Sequence, residues 1–266
     1  MMTMDLHRYL KYLEDKAKTS DLQEMYLWPR TLNVKLNDFQ AKIMERVGAS
    51  DYEINNPKSR SYKVIKTLQN LINKNYINEN FSLIDITCGD AVVLSELKKA
   101  FPKMEAFGVD CFKDKFETHT ACYKQGIYIY MGYIQHMFKE NPPKNFDCAI
   151  MFNTYRGWES ADLREHEKDL PELADNYFKN NVKYTFLTAT RDQIKQLIQK
   201  GFIINLIGKG EDNSLLFIMC NPTHTKAKPL PNNIFQRIRN FIFLNAGVRV
   251  KILGITITFP SKELPN

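Results

Sequence analysis

Between about residue 81 and residue 220 the chain alternates short apolar runs with helical periodicity, and no other feature narrows its possible folds as far. The runs are FSLIDIT, EAFGVD, GIYIYM, NFDCAIMFN, VKYTFLTAT, GFIINLIG and SLLFIMC. Each is short, rich in β-branched and aromatic residues, and bounded by polar turns, as strands buried on both faces are. Helical patterns separate the first six, over 91–100 with Leu94 and Leu97 on one side, 113–124, a single turn at 134–139, 163–179 and 191–200. Strands joined by crossover helices lie parallel in one sheet with helices on both faces. The last two runs are joined only by the turn 209–213, which reverses the chain and makes the final strand antiparallel. The pattern predicts an α/β, Rossmann-like, seven-stranded doubly wound sheet with its last strand antiparallel, spanning 81–221.

The flanks differ. Residues 1–80 read as a helical N-terminal cap. A first helix over 4–18 carries Leu6, Tyr9, Leu10 and Leu13 at helical spacing, a second begins at Asp38 and stops at Gly48, and a third starts near Ser59 with Ile65, Leu68, Leu71 and Ile72. Residues 222–266 read as a C-terminal extension. Pro229 and Pro231 mark a linker, Ile234, Phe235, Ile238, Phe241 and Ile242 fall on one helix face, and VRVKILGITITF alternates in the manner of a strand.

Composition removes several classes of protein. Aromatic residues at 12% supply ample surface to bury, which excludes whole-chain disorder. The longest apolar stretches run to about ten residues against the roughly 20 that a bilayer requires, so no transmembrane span is expected. Charges recur through the first sixteen residues, so no signal peptide is expected there. The five cysteines, Cys88, Cys111, Cys122, Cys148 and Cys220, include no CxxC pair. That argues against a disulfide framework or a metal site, and for a reducing cytoplasmic setting. The net charge of +7 is uneven. Residues 226–266 hold seven basic side chains and one acid, a net +6, which leaves +1 on the body. A nearly neutral body argues against a nucleic-acid partner, which needs a broad cationic face. Contact with acidic lipid or another polyanion is a property of the tail alone.

The chemistry concentrates in LIDITCGDAVVLSELKKAFPKMEAFGVD. A buried strand ends in Asp85 and turns through Thr87, Cys88, Gly89 and Asp90 into a helix. In an open α/β sheet ligands bind beyond the carboxyl ends of the strands. Small residues at 87, 89 and 91 let a ligand approach the backbone, and the exposed N–H groups of the helix start favour polar or anionic atoms. The next strand ends in Asp110, where an acid can accept hydrogen bonds from ribose hydroxyls. A dinucleotide fits poorly. Its fingerprint needs three glycines where this loop has one, and Asp85 would repel a pyrophosphate. The same acid attracts an ammonium, so a ligand with a cation at one end and a ribose at the other fits better.

On these residues the chain resembles class I S-adenosylmethionine-dependent methyltransferases. DITCGDA stands where that family has D/E-x-G-x-G-x-G, and GVD where it has the ribose-binding acid. The resemblance implies S-adenosylmethionine as cofactor, with Asp85, Thr87, Gly89 and Asp90 around the methionine and loop region, and Asp110 with the adjoining Cys111 at the ribose. MGYIQHMF resembles the segment flanking adenine, which implies Tyr133, Ile134 and Gln135 near the base. FDCAIMFNTYRGW resembles the segment beside the transferred methyl, which implies Asn153 there. Arg60, ahead of the first strand, is placed to hold the cofactor carboxylate. The sequence departs from the family at Thr87 and Ala91, which replace glycines, and at Tyr133, which replaces an acid.

A base is needed when the acceptor must lose a proton. Tyr155, Glu159, His119, His136 and His166 are the candidate bases; His166 sits among charged helix neighbours and reads as a solvated face, and Tyr155, Glu159 and His136 are the expected catalytic residues. Arg30, Arg156 and Trp158 are candidate acceptor contacts, and the arginines point to an anionic acceptor, phosphorylated or sugar-derived. The expected function is therefore methyl transfer to an O or N atom of a small molecule. The tail resembles those of proteins encoded with surface-polysaccharide enzymes, which implies a capsule or lipopolysaccharide pathway. The alternatives are an RNA methyltransferase using the basic tail, and a non-catalytic interaction protein on a decayed methyltransferase fold.

Overall fold

The computed structural model describes residues 8, 11, 12, 15, 59–86, 88, 89, 91–110, 116–132, 145–152, 181–189, 191–209, 215–220, 249–252 and 255–258. In chain order the elements are α1 (Arg60–Asn73), β1 (Ser82–Asp85), α2 (Val92–Ala100), β2 (Glu105–Asp110), α3 (Phe116–Lys124), β3 (Ile127–Met131), β4 (Phe146–Met151), β5 (Val182–Ala189), α4 (Arg191–Gln199), β6 (Ile203–Lys209), β7 (Leu215–Cys220), β8 (Arg249–Ile252) and β9 (Ile255–Thr258). Strands β1 to β7 form one sheet in the order β3-β2-β1-β4-β5-β7-β6. The pairs β3–β2, β2–β1, β1–β4 and β4–β5 are parallel. Strand β7 inserts between β5 and β6 and runs antiparallel to both. This is the Rossmann-like, doubly wound sheet that the alternation predicts, with the reversed strand one place in from the edge.

Successive side chains of a strand face opposite sides of the sheet, and two apolar cores result. Leu83, Ala106, Ile127, Ile129, Cys148 and Ile150 face one core, together with Leu94 and Leu97 of α2. Ile84, Phe107, Val109, Ala149 and Met151 face the other, together with Ile194 and Leu197 of α4. Burial raises the Cys148 thiol well above its usual range, and neighbouring Asp147 adds to the effect. Cys148 therefore stays protonated and behaves as a small apolar side chain. At the amino ends of the strands a polar clamp ties β1, β4 and β5. The Ser82 amide donates to Asp147 Oδ2 at 3.1 Å, the Asp147 amide donates to Ser82 Oγ at 3.1 Å, and Lys183 pairs with Asp147 Oδ1.

Helix α1 starts at Ser59, whose hydroxyl accepts the Tyr62 amide at 3.0 Å, an N-terminal cap. Val64, Leu68 and Leu71 are fully buried in the first core, so α1 packs against the sheet. In the tail, β8 and β9 pair antiparallel, with Ile252 opposite Ile255 and Arg249 opposite Thr258, where the alternation of VRVKILGITITF reads as one strand. The expected helices at 134–139 and 163–179, the second N-terminal helix and the tail helix lie outside the described residues, whereas Arg8, Lys11, Tyr12 and Asp15 are helical as expected. No helix among the described residues is long and apolar enough to cross a membrane.

If α1 belongs to the core, Leu68→Ala lowers unfolding free energy by about 2–5 kcal/mol, the cost of a buried cavity. Urea denaturation measures it; a change under about 0.5 kcal/mol, typical of surface sites, would return α1 to a separate cap.

Candidate functional site

The parallel strands bring their carboxyl ends to one edge. Strand β1 lies between β2 and β4, where the strand order turns in opposite directions, and such a switch point opens a crevice. Asp85 ends β1, opposite Gly108 and Ile150 of its neighbours. Asp110 ends β2, opposite Met131. Both residues are buried, Asp85 4% and Asp110 5% exposed. By alternation Asp85 shares the face of Leu83, and Asp110 that of Ala106, so both lie on the side covered by α1 and α2.

The turn after β1 is anchored to both adjacent strands. The Ile86 amide donates to the Ile150 carbonyl and the Cys88 amide to the Val109 carbonyl, each at 3.1 Å. Cys88 fits here because residue 108 is glycine: a Cβ there would lie 2.6 Å from both Cys88 Sγ and Ile129 Cδ1. The Ala91 amide then donates to the Cys88 carbonyl at 2.7 Å and closes the turn. Gly89 (φ 51°) and Ala91 (φ 54°) are both left-handed. Ala91 thus keeps a conformation that favours glycine, at a cost of about 1–2 kcal/mol. No side chain of Ala91 caps the start of α2, so the first amides of that helix are left to loop, solvent or ligand.

Three further side chains meet this edge. His119, on α3, is fully buried, and its Nε2 lies 3.1 Å from Asp110 Oδ2. A fully buried imidazole turned toward a buried carboxylate is not an open base for an acceptor. Arg60, at the first turn of α1, is 1% exposed, and its guanidinium lies over the Phe152 ring, 5.3 Å from the centroid. Phe152 immediately follows β4 and packs on the first core, so Arg60 reaches the carboxyl edge on the same side as the two acids. Tyr12 approaches from the N-terminal helix. Its hydroxyl accepts the Met131 amide at 3.0 Å, and its ring contacts Tyr130 with centroids 6.4 Å apart. The turn beyond β3 is tied to β2 as well, since the Gly132 amide donates to the Asp110 carbonyl at 2.7 Å.

Of the expected site residues, Arg60, Asp85, Gly89 and Asp110 are thus gathered at one edge. Thr87, Asp90, Cys111, Tyr133, Ile134, Gln135 and Asn153 lie outside the described residues, as do Tyr155, Glu159 and His136 and the acceptor candidates Arg30, Arg156 and Trp158. Sequence reasoning missed Tyr12 and Phe152. Tyr12 falls outside the apolar stripe of its helix, and Phe152 reads as the last apolar residue of a strand; each acts across a large sequence separation that periodicity does not report.

Neither a family model nor a curated protein matches the sequence. Solved structures do match it. WbdD, a bifunctional kinase–methyltransferase, is 14% identical with a TM-score of 0.48, over 80% of this chain and 46% of that one. The chain therefore spans about half the length of WbdD. A Listeria monocytogenes protein described as a class I S-adenosylmethionine-dependent methyltransferase is 15% identical with a TM-score of 0.48, over 85% of this chain and 83% of that one. TrmK of M. capricolum, solved with S-adenosylhomocysteine, is 11% identical with a TM-score of 0.43, over 64% of this chain and 71% of that one. Independently of these likenesses, the sheet has the seven strands and the reversed last strand that the sequence pattern predicts.

Because Ala91 holds a left-handed conformation without a glycine, Ala91→Gly relieves backbone strain. The expected gain is about 0.5–1 kcal/mol, part of the relief being lost to the greater freedom of glycine in the unfolded chain. It is read as a higher urea midpoint with an unchanged slope; a lower midpoint would mean that Ala91 is not strained.

Proposed function

We propose that the protein transfers a methyl group from S-adenosylmethionine to an O or N atom of a small anionic acceptor. One observation carries the reading: two buried carboxylates, Asp85 and Asp110, end adjacent strands on the same face of the sheet's carboxyl edge. A ligand with an ammonium at one end and vicinal hydroxyls at the other offers each acid a charge-assisted contact of the kind it is built to accept.

The chain fits such a ligand in its other parts. Asp85 faces the ammonium, and Asp110 accepts from the ribose hydroxyls. Arg60, already buried at this edge, pairs with the carboxylate of the methionine moiety. The left-handed Gly89 and the uncapped start of α2 let backbone amides come close to polar ligand atoms. Thr87, Asp90, Cys111, Tyr133, Ile134 and Gln135 complete the cofactor contacts in this reading, and Asn153 borders the transfer position. When bound, S-adenosylmethionine supplies a methyl activated by its sulfonium. The chain's part is to orient it, exclude water and, through Tyr155, Glu159 or His136, take the acceptor's proton. Arg30, Arg156 and Trp158 hold the acceptor, whose negative charge matches the arginines; the basic tail suits a surface-polysaccharide pathway. The +1 charge of the body weighs against RNA as acceptor.

Titration calorimetry with S-adenosylhomocysteine tests the cofactor. We expect saturable binding to the wild-type chain, weakened by about tenfold or more in Asp110→Asn and in Asp85→Asn, because each removes a charge-assisted contact. No heat at millimolar ligand would sink the proposal. For the acceptor, release of S-adenosylhomocysteine is followed across phosphorylated amines, sugars and nucleotides. Turnover on RNA, lost when 226–266 is deleted, would replace the small-molecule reading.

A further inference from the structure

We infer that His119 is the positioning residue for the ribose-binding carboxylate, and that it sets the protein's discrimination for the sugar of its cofactor. The inference rests on the proposed use of S-adenosylmethionine and names a part of that site which the sequence resemblance does not assign.

The argument begins with Asp110. A carboxylate at the end of a strand has two torsions to settle before it can meet two hydroxyls at once, and a misplaced one loses most of a bidentate contact. The backbone of Asp110 is held, since its carbonyl accepts the Gly132 amide and its register is fixed against Met131. His119 stands in position to constrain its side chain as well, 3.1 Å away through Nε2, with side-chain exposures of 0% for the imidazole and 3% for the acid. The two atoms lie at hydrogen-bond range without the alignment of a hydrogen bond, and a small turn of the imidazole with its hydrogen on Nε2 makes one. Burial strengthens the contact, since little water competes for either group.

The imidazole is itself held. His119 lies within α3, a nine-residue helix between β2 and β3, and Cys122, one turn on, is buried in the first core. The helix thus presents the ring from a rigid support. A carboxylate oxygen has two lone-pair directions. Oδ2 can therefore face His119 and still accept from a hydroxyl, while Oδ1 serves the second hydroxyl. His119 touches no ligand in this arrangement; it acts through Asp110.

The test compares S-adenosylhomocysteine with its 2′-deoxyribose analogue on the full chain, by calorimetry, with thermal unfolding recorded without ligand. In the wild-type chain the analogue binds more weakly. In His119→Ala we expect S-adenosylhomocysteine to bind about tenfold more weakly, the scale of one charge-assisted hydrogen bond, and the preference over the analogue to shrink toward unity. His119→Gln places an amide N–H near the position of Nε2, and should restore most of the affinity and the preference. Were His119→Ala to unfold, the Gln variant would decide alone, by keeping the sugar preference that Asp110→Asn loses. Lowered thermal stability with unchanged affinity and preference would overturn the inference and make the pair purely structural. Equal weakening toward both ligands would overturn it too, since the effect would not pass through the sugar. Failure of the wild-type chain to bind S-adenosylhomocysteine would instead remove the cofactor reading itself, and this inference with it.

Discussion

Two buried acids at one sheet edge are the constraint around which the rest of the molecule is arranged. The parallel register leaves no freedom here. With Ser82 opposite Glu105 and Asp85 opposite Gly108, the ends of β1 and β2 are staggered by two residues, and both terminal carboxylates fall on the same face. Buried charge is tolerated only where the surrounding structure is stiff and the group has partners. The stiffness comes from the two apolar cores, in which Leu83, Ile84 and Ala106 are almost wholly enclosed. It comes also from the clamp of Ser82, Asp147 and Lys183, which ties the other end of β1 to β4 and β5.

The turn between β1 and α2 shows how closely the backbone is specified. Cys88 occupies the space that Gly108 leaves open, its amide is bound to β2, and its carbonyl closes the turn on Ala91. A loop held at both ends keeps its conformation even where the side chain is not the preferred one, which is why Ala91 is left-handed. Its alanine therefore marks no loss of the turn. Arg60 depends on similar long-range support: it reaches the edge only because Val64, Leu68 and Leu71 seat α1 against the sheet.

Much of the fold was legible because a doubly wound sheet writes itself locally. Each of β1 to β7 is an apolar run bounded by polar turns, and the short link at 209–213 announces the reversed strand. The hairpin of β8 and β9 carried a signal too. Its apolar positions change from even (Val250, Ile252) to odd (Ile255, Ile257), a phase break that a single strand would not show. Helix α1 was harder, because periodicity reveals an apolar face without revealing what covers it. In the site, the strand-end acids could be found from strand–turn–helix spacing alone. The contacts of Phe152 and Tyr12 could not, because each joins segments far apart in the chain. Tyr12 and Met131 are 119 residues apart.

Strand β3 is the outermost strand on its side of the sheet, and an outermost strand offers its spare amides and carbonyls to any chain that comes by. At Met131 the outward amide is taken by a phenol rather than by another strand. A phenol satisfies one donor and extends no ladder, so it shuts that place without inviting a further strand. A chain without that phenol would leave the Met131 amide bare at the rim, and the defect would show as clumping before unfolding.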